Sequence, residues 1–281
     1  MRPRMLGITV VTALAIASFA ATTSDAAPST GSVDVSLGDS LGASYQPNGD
    51  VRSGYAEQLF QLEQANIPDL QLVKLACPGE RTSTIDNGRR LCPYDAGSQL
   101  AQAVEVLQAG NVAFVTLQIG SNDTFKCFDF HANAFDQTCL DTVLPKVAER
   151  LTAIVDALRA ADPDVTIVGG NYPDPLLALW TVGVDAGTMH AIADDWASMN
   201  ATLEQTYADL GVPVADIEGA FASADFDTTV QAGRVGAVPL NVARICQWTY
   251  ACSNRFDHDF HPNTIGYAVM ARAYQAALEA V

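Results

Sequence analysis

Four short stretches carry residues of the kinds that acyl-transfer chemistry requires. Gly38-Asp39-Ser40-Leu41-Gly42 sets a hydroxyl between glycines, where the backbone can bend sharply and come close to a substrate. Taken alone, the same string also describes a satisfied turn serine. Ala76-Cys77-Pro78-Gly79-Glu80-Arg81-Thr82 offers, at Gly79, a backbone N–H with no side chain in the way. Gly120-Ser121-Asn122-Asp123 adds the side-chain amide of Asn122, and Asp257-His258-Asp259-Phe260-His261-Pro262-Asn263 supplies an imidazole. A hydroxyl activated by an imidazole can attack an acyl carbon. Donors from Ser40, Gly79 and Asn122 could then hold the oxyanion, where loss of one donor typically costs about 10²–10³ in rate.

These groups are far apart in the chain, so a fold must gather them. Apolar runs alternate with amphipathic stretches, the pattern of an α/β domain with a parallel sheet. Strands are expected at Val33–Leu37, Leu70–Leu75, Val112–Ile119, Val165–Val168 and Val212–Ile217. Helices are expected at about Tyr55–Gln64, Ser98–Ala109, Asp141–Ala160, Thr188–Leu210 and Asn263–Ala280. Within the third, Val143, Val147, Leu151, Ile154, Val155 and Leu158 recur at helical spacing and predict one buried stripe. Asp162-Pro163-Asp164 should stop that helix, and Pro262 suits the start of the last one. A doubly wound sheet binds ligands outside the carboxyl ends of its strands, where three of the four stretches begin. His261, just before the final helix, is placed to reach back toward Ser40. His190 lies within a helix and reads as a surface or packing residue, and His131 reads as an exposed loop residue.

The 281 residues contain 15 basic and 32 acidic side chains, a formal charge of −17. That balance disfavours nucleic acid, which is held mainly by cations on phosphate, and adsorption to anionic lipid. With 49% hydrophobic residues the chain is not intrinsically disordered. Arg2, Arg4 and the apolar run Leu6–Ala20 read as a secretory leader, with cleavage expected after Ala26 at Ser24-Asp25-Ala26. The run is shorter than the roughly 20 residues a membrane span needs. Residues 27–281 are expected to form one soluble, secreted domain with 13 basic against 31 acidic residues. All six cysteines lie in this part. An even count in a secreted chain predicts disulfides, and short loops lose the least entropy on closure. Pairs Cys77/Cys92, Cys127/Cys139 and Cys246/Cys252 are therefore expected, each stabilising by about 2–3 kcal/mol. The spacing does not suit zinc, and no metal is expected.

The four stretches, in this order, resemble the sequence blocks of the SGNH/GDSL hydrolase family over residues 33 to about 275, most closely its secreted actinobacterial esterases and lipases. The resemblance implies a flavodoxin-like α/β three-layer sandwich with a five-stranded, mainly parallel sheet. It also implies three local cysteine pairs, Ser40 as nucleophile, His261 as base, and an oxyanion hole from the Ser40 amide, the Gly79 amide and the Asn122 side chain. One position departs from the pattern. The family commonly has an aspartate three residues before the histidine, where this chain has His258. Asp259 is favoured as the third catalytic member, with Asp257 or a backbone carbonyl near residue 258, and hence a Ser–His dyad, as the alternatives.

On this reading the activity is two-step hydrolysis of a carboxylic ester, without metal or organic cofactor. A histidine base must be neutral, so the rate should rise through roughly pH 6–7. Asn171-Tyr172-Pro173-Asp174-Pro175 and the following Leu176, Leu177, Leu179 and Trp180 read equally as the lining of an acyl groove beside Ser40 or as a loop packed on its own domain. A small-molecule or lipid ester is the expected substrate, with an acetylated carbohydrate as second choice; no nucleic acid or stable membrane anchor is expected, and the chain should be a monomer. A secreted binding protein of the same fold is the reading from a different class.

Overall fold

The central strands of the computed structural model bury both of their faces, so helices must cover the sheet on two sides. In the first strand, β1 (Val33–Gly38), Asp34 and Ser36 on one face are as inaccessible as Val35 and Leu37 on the other. The structure describes residues 32–88 and 90–281; the expected leader lies outside the described residues. The other strands of the sheet are β2 (Gln71–Lys74), β3 (Val112–Gln118), β4 (Ile167–Gly170) and β5 (Val214–Ala215). All are parallel, in the order β2-β1-β3-β4-β5. This is the flavodoxin-like order, whose switch point lies between β1 and β3.

Among the described residues, six helices of nine residues or more follow in chain order: α1 (Tyr55–Glu63), α2 (Gln99–Ala109), α3 (Gln137–Ala161), α4 (Ala186–Asp209), α5 (Leu240–Trp248) and α6 (Thr264–Leu278). Helix α1 packs on α6, and α3 packs between α2 and α4. The predicted stripe of α3 is buried along its whole length. That helix begins at Gln137, four residues before its expected start, because Asp136 caps it by accepting a hydrogen bond from the Cys139 amide. Strand β4 starts two residues later than expected, since a turn closed from the Val165 amide to the Asp162 carbonyl occupies the start. Strand β5 is only two residues long because Asp216 caps a helical turn, Ile217–Ala220.

Pro262 does not start α6. Asn263 caps it, its side chain accepting from the Ile265 and Gly266 amides, and Pro262 forms a bridge with Thr249 instead. Helix α5, a 3-10 helix at Pro175–Val182, and hairpins at Phe128–Phe135 and Thr229–Pro239 had no expected counterpart. The three disulfides join Cys77–Cys92, Cys127–Cys139 and Cys246–Cys252.

Candidate active site

The turn after β1 is held before its serine is reached. Gln99 accepts a hydrogen bond from the Gly38 amide at 2.6 Å and donates to the Gly38 carbonyl at 3.0 Å. Gly38 has φ +121°, and a Cβ there would sit 1.9 Å from the Gln118 carbonyl oxygen, so no other residue fits. Asp39 follows, fully buried. Its carboxylate accepts from the Leu41 amide at 2.9 Å, the Tyr172 hydroxyl at 2.7 Å and the Ser121 hydroxyl at 3.3 Å. Burial lifts its pKa from 3.8 to about 6, against the lowering pull of those hydrogen bonds and of His261. Tyr172 is itself pinned through its backbone by Asn200. Ser40 therefore follows two residues, Gly38 and Asp39, that are hydrogen-bonded to the loop after β2, to β3 and to the loop after β4.

The imidazole comes from an irregular loop. Between α5 and α6 the chain is drawn together by Cys246–Cys252, by the Tyr250 amide donating to the His261 carbonyl at 3.0 Å, and by the Asn263 amide donating to the Trp248 carbonyl at 2.9 Å. Asp257 and His258 both have left-handed backbones, φ +53° and +54°. This pair of left-handed residues turns the His258 side chain away, where its Nδ1 meets the Ala251 carbonyl at 2.9 Å. It also carries Asp259 inward, to accept from His261 Nδ1 at 2.8 Å and from the His261 amide at 2.9 Å. With Nδ1–H committed to the carboxylate, His261 Nε2 is the acceptor and faces Ser40 Oγ at 2.8 Å. Partial burial works against charge on Asp259, but the hydrogen bond and positive charge of His261 outweigh it and hold the carboxyl below its usual range. The ring of Tyr45 meets the imidazole edge-on, with centroids 4.5 Å apart. Asp257 is exposed and takes no part in this chain of contacts.

The loops after β2 and β3 are joined to each other. Asp123 accepts from the Thr82 amide at 2.8 Å and the Thr82 hydroxyl at 3.0 Å, and Asn122 donates one amide hydrogen to the Glu80 carbonyl at 3.0 Å. Asn122 thus has a second N–H to offer, and it lines the cleft with Ser40 and His261. Gly79 is not a lining residue; it sits next to Glu80 at the edge of this junction with φ +74°. Among the described residues, the amides of Ser40 and Gly79 donate to no acceptor within the protein.

The cleft measures about 190 Å³, and its apolar wall is Phe125, Trp196, Phe260, Pro173 and Pro175. The expected groove forms only in part. Tyr172, Pro173 and Pro175 do line the cleft, but Leu176 and Leu177 are wholly buried in the core, because the 3-10 helix turns them inward. Leu179 packs on the core, and Trp180 packs against Phe226. Phe125, Trp196 and Phe260 carried no sequence signal of their own, being single aromatics on three separate elements. A larger cavity, about 1060 Å³, opens beside β5 among Glu204, Asp216, Glu218 and Asp227. It has no nucleophile paired with a base, so the smaller cleft is the candidate site. His190 lies at the surface against Phe226, and His131 is exposed; neither approaches Ser40.

Solved structures with this architecture include three lipolytic enzymes. An extracellular lipase from Streptomyces rimosus superposes with a TM-score of 0.57 at 19% identity, covering 88% of this chain and 99% of the lipase. A phospholipase A1 from Streptomyces albidoflavus gives 0.52 at 19% identity over the same shares. The lipase Lip_vut3 from a goat rumen metagenome gives 0.57 at 14% identity, over 88% and 97%. At these identities the likeness is one of fold. No curated protein matches by sequence. The model of the GDSL-like lipase/acylhydrolase family matches residues 36–269, with Ser40, Asn122 and His261 inside the match, and the chain belongs to that family.

Proposed function

We propose that the protein is a serine-dependent carboxylic ester hydrolase, an esterase or lipase, that works through an acyl-enzyme. The observation that carries this reading is the continuous path Ser40 Oγ, His261 Nε2, His261 Nδ1, Asp259 Oδ1, with both links at 2.8 Å. His261 takes the Ser40 proton as the hydroxyl attacks the ester carbonyl. Asp259 keeps Nδ1 protonated and balances the imidazolium that forms. The Ser40 and Gly79 amides and the second N–H of Asn122 receive the oxyanion. The imidazolium then protonates the departing alcohol, and water activated by the same base releases the acid. The apolar wall of the cleft favours an uncharged hydrocarbon-bearing ester over an acetylated sugar.

A fluorophosphonate probe should label the wild type and not Ser40→Ala, and that variant should lose at least about 10⁴-fold in the hydrolysis of p-nitrophenyl esters. Labelling that persists in Ser40→Ala would overturn the assignment. Secretion belongs to the same proposal: three disulfides suit an oxidising compartment. Among the described residues no helix is long and apolar enough to cross a membrane. N-terminal sequencing of the mature product should begin at Ala27.

A further inference from the structure

The apolar wall does not end at the cleft. Trp196 and Pro175 are closed in by the protein, but Phe125 and Phe260 are half-exposed and both meet a further ring outside the cleft, Phe130. Phe130 stacks on Phe260 with centroids 6.1 Å apart and planes 10° apart, and lies 5.9 Å from Phe125. It is 49% exposed, an unusual position for a phenyl ring with nothing covering it.

Its mounting is rigid. The hairpin that carries it pairs Phe128 with Phe135 and is closed by Cys127–Cys139. The tip is fixed by Asp129, which accepts from the His131 and Ala132 amides at 2.8 and 3.3 Å. The ring of Phe128 holds Phe130 edge-on at 4.9 Å. The aromatic surface therefore runs unbroken from beside the catalytic imidazole, since Phe260 lies between Asp259 and His261, to the surface of the molecule.

We propose that the hydrocarbon arm of the ester leaves the cleft across Phe125 and Phe260 and ends against Phe130, so that Phe130 sets the chain-length preference. This rests on the esterase reading above. Each methylene withdrawn from water is worth about fourfold in affinity. A chain that reaches Phe130 gains that factor over the last part of its length, and a shorter one does not. The arm is either the acyl chain or the alkyl chain of the alcohol, and the two are separable by substrate.

The test compares wild type, Phe130→Ala and Phe130→Leu on p-nitrophenyl acetate, p-nitrophenyl decanoate and decyl acetate, each below its micellar concentration. In Phe130→Ala, kcat/KM for acetate should stay within about twofold, while that for the long-chain ester falls roughly tenfold, mostly in KM. Phe130→Leu should recover most of the loss. A fall on p-nitrophenyl decanoate alone assigns the path to the acyl chain, and a fall on decyl acetate alone assigns it to the alcohol. An unchanged decanoate-to-acetate ratio in an active Phe130→Ala, with decyl acetate also unchanged, overturns the inference. So does an equal fall on every substrate, which would mark a damaged hairpin. A wild type that hydrolyses none of these esters and takes no fluorophosphonate refutes the esterase reading itself, and this inference with it.

Discussion

The two halves of the proposed reacting pair are built in opposite ways. Ser40 rides on a turn that continues a central strand and is flanked by a fully buried carboxylate, Asp39. His261 rides on a loop without regular structure, tied by a disulfide and a few backbone hydrogen bonds, and is flanked by a partly buried carboxylate, Asp259. The environments drive the two acids apart. Burial lifts Asp39 to about 6, whereas the imidazole holds Asp259 below the ordinary range despite its partial burial. One carboxylate organises the backbone around Ser40 and the other orients the His261 imidazole, and neither could exchange its place for that of the other. Precision at Ser40 comes from the sheet; precision at His261 comes from local ties that cost little sequence.

Asp259 gives the most decisive test. Asp259→Ala leaves Nδ1–H without its acceptor and the imidazolium without its counter-charge, so kcat should fall by about 10²–10⁴ with KM little changed. Asp259→Asn also removes the charge, and its amide can donate to Nδ1 and hold the imidazole in the wrong tautomer, so it should lose at least as much. A near wild-type rate for Asp259→Ala would reduce the site to a Ser40–His261 dyad, with the loop alone aiming the imidazole.

The matching test on the nucleophile side reads stability. Between the ordinary value of 3.8 and about 6, folded Asp39 retains a proton that the unfolded chain has released. The native state then binds more protons than the unfolded state, and stability falls as pH rises through that window. The full cost of ionisation, reached above about pH 6, is on the order of 3 kcal/mol. Asp39→Asn removes the titration while its amide still accepts from Leu41 and can donate to the Tyr172 oxygen. Relative to wild type, the variant should gain stability steadily from pH 4 to 6 and hold that gain above, as read by urea unfolding at a series of pH values. Using the difference cancels the same-signed contribution of Asp174, which burial raises to about 8 in both chains. A difference that does not change with pH would show that Asp39 does not titrate there.

This contrast also explains what could be read in advance. The Ser40 turn and the Asn122 loop follow from contiguous patterns, an apolar run ending in glycine and a small polar residue, and these stand where expected, whereas the strand order was implied by the family resemblance. The base loop depends on dihedral angles. Nothing in Asp257-His258 declares two successive left-handed residues, so which of the neighbouring acids met Nδ1 could not be resolved from spacing alone. The cleft wall was misplaced for a third reason. Leu176 and Leu177 advertise an apolar surface, but a 3-10 helix directs them inward, and the wall is assembled from Phe125, Trp196 and Phe260, whose proximity is purely tertiary. The hydrogen bond from Tyr172 to Asp39, 133 residues apart, is invisible for the same reason.

The smallest predicted effect separates the halves most cleanly. Closing a loop of six residues, Cys246–Cys252 should stabilise by about 2 kcal/mol. Its removal as Cys246→Ser/Cys252→Ser lowers the melting temperature modestly, and it also loosens the segment in which His258 meets the Ala251 carbonyl and Tyr250 holds His261. Among the described residues, the turn at 38–42 shares no hydrogen bond with that segment apart from the one to His261 itself. Well below the melting temperature, the double variant should therefore lose rate by a few-fold, the fraction of molecules with the imidazole out of line, while the proposed oxyanion donors and the cleft stay intact. A competitive transition-state analogue that engages only those donors should keep its wild-type affinity in the variant. Equal losses in rate and in analogue binding would mean that the disulfide supports the whole site, and that the division between a sheet-held serine and a loop-held histidine is not real.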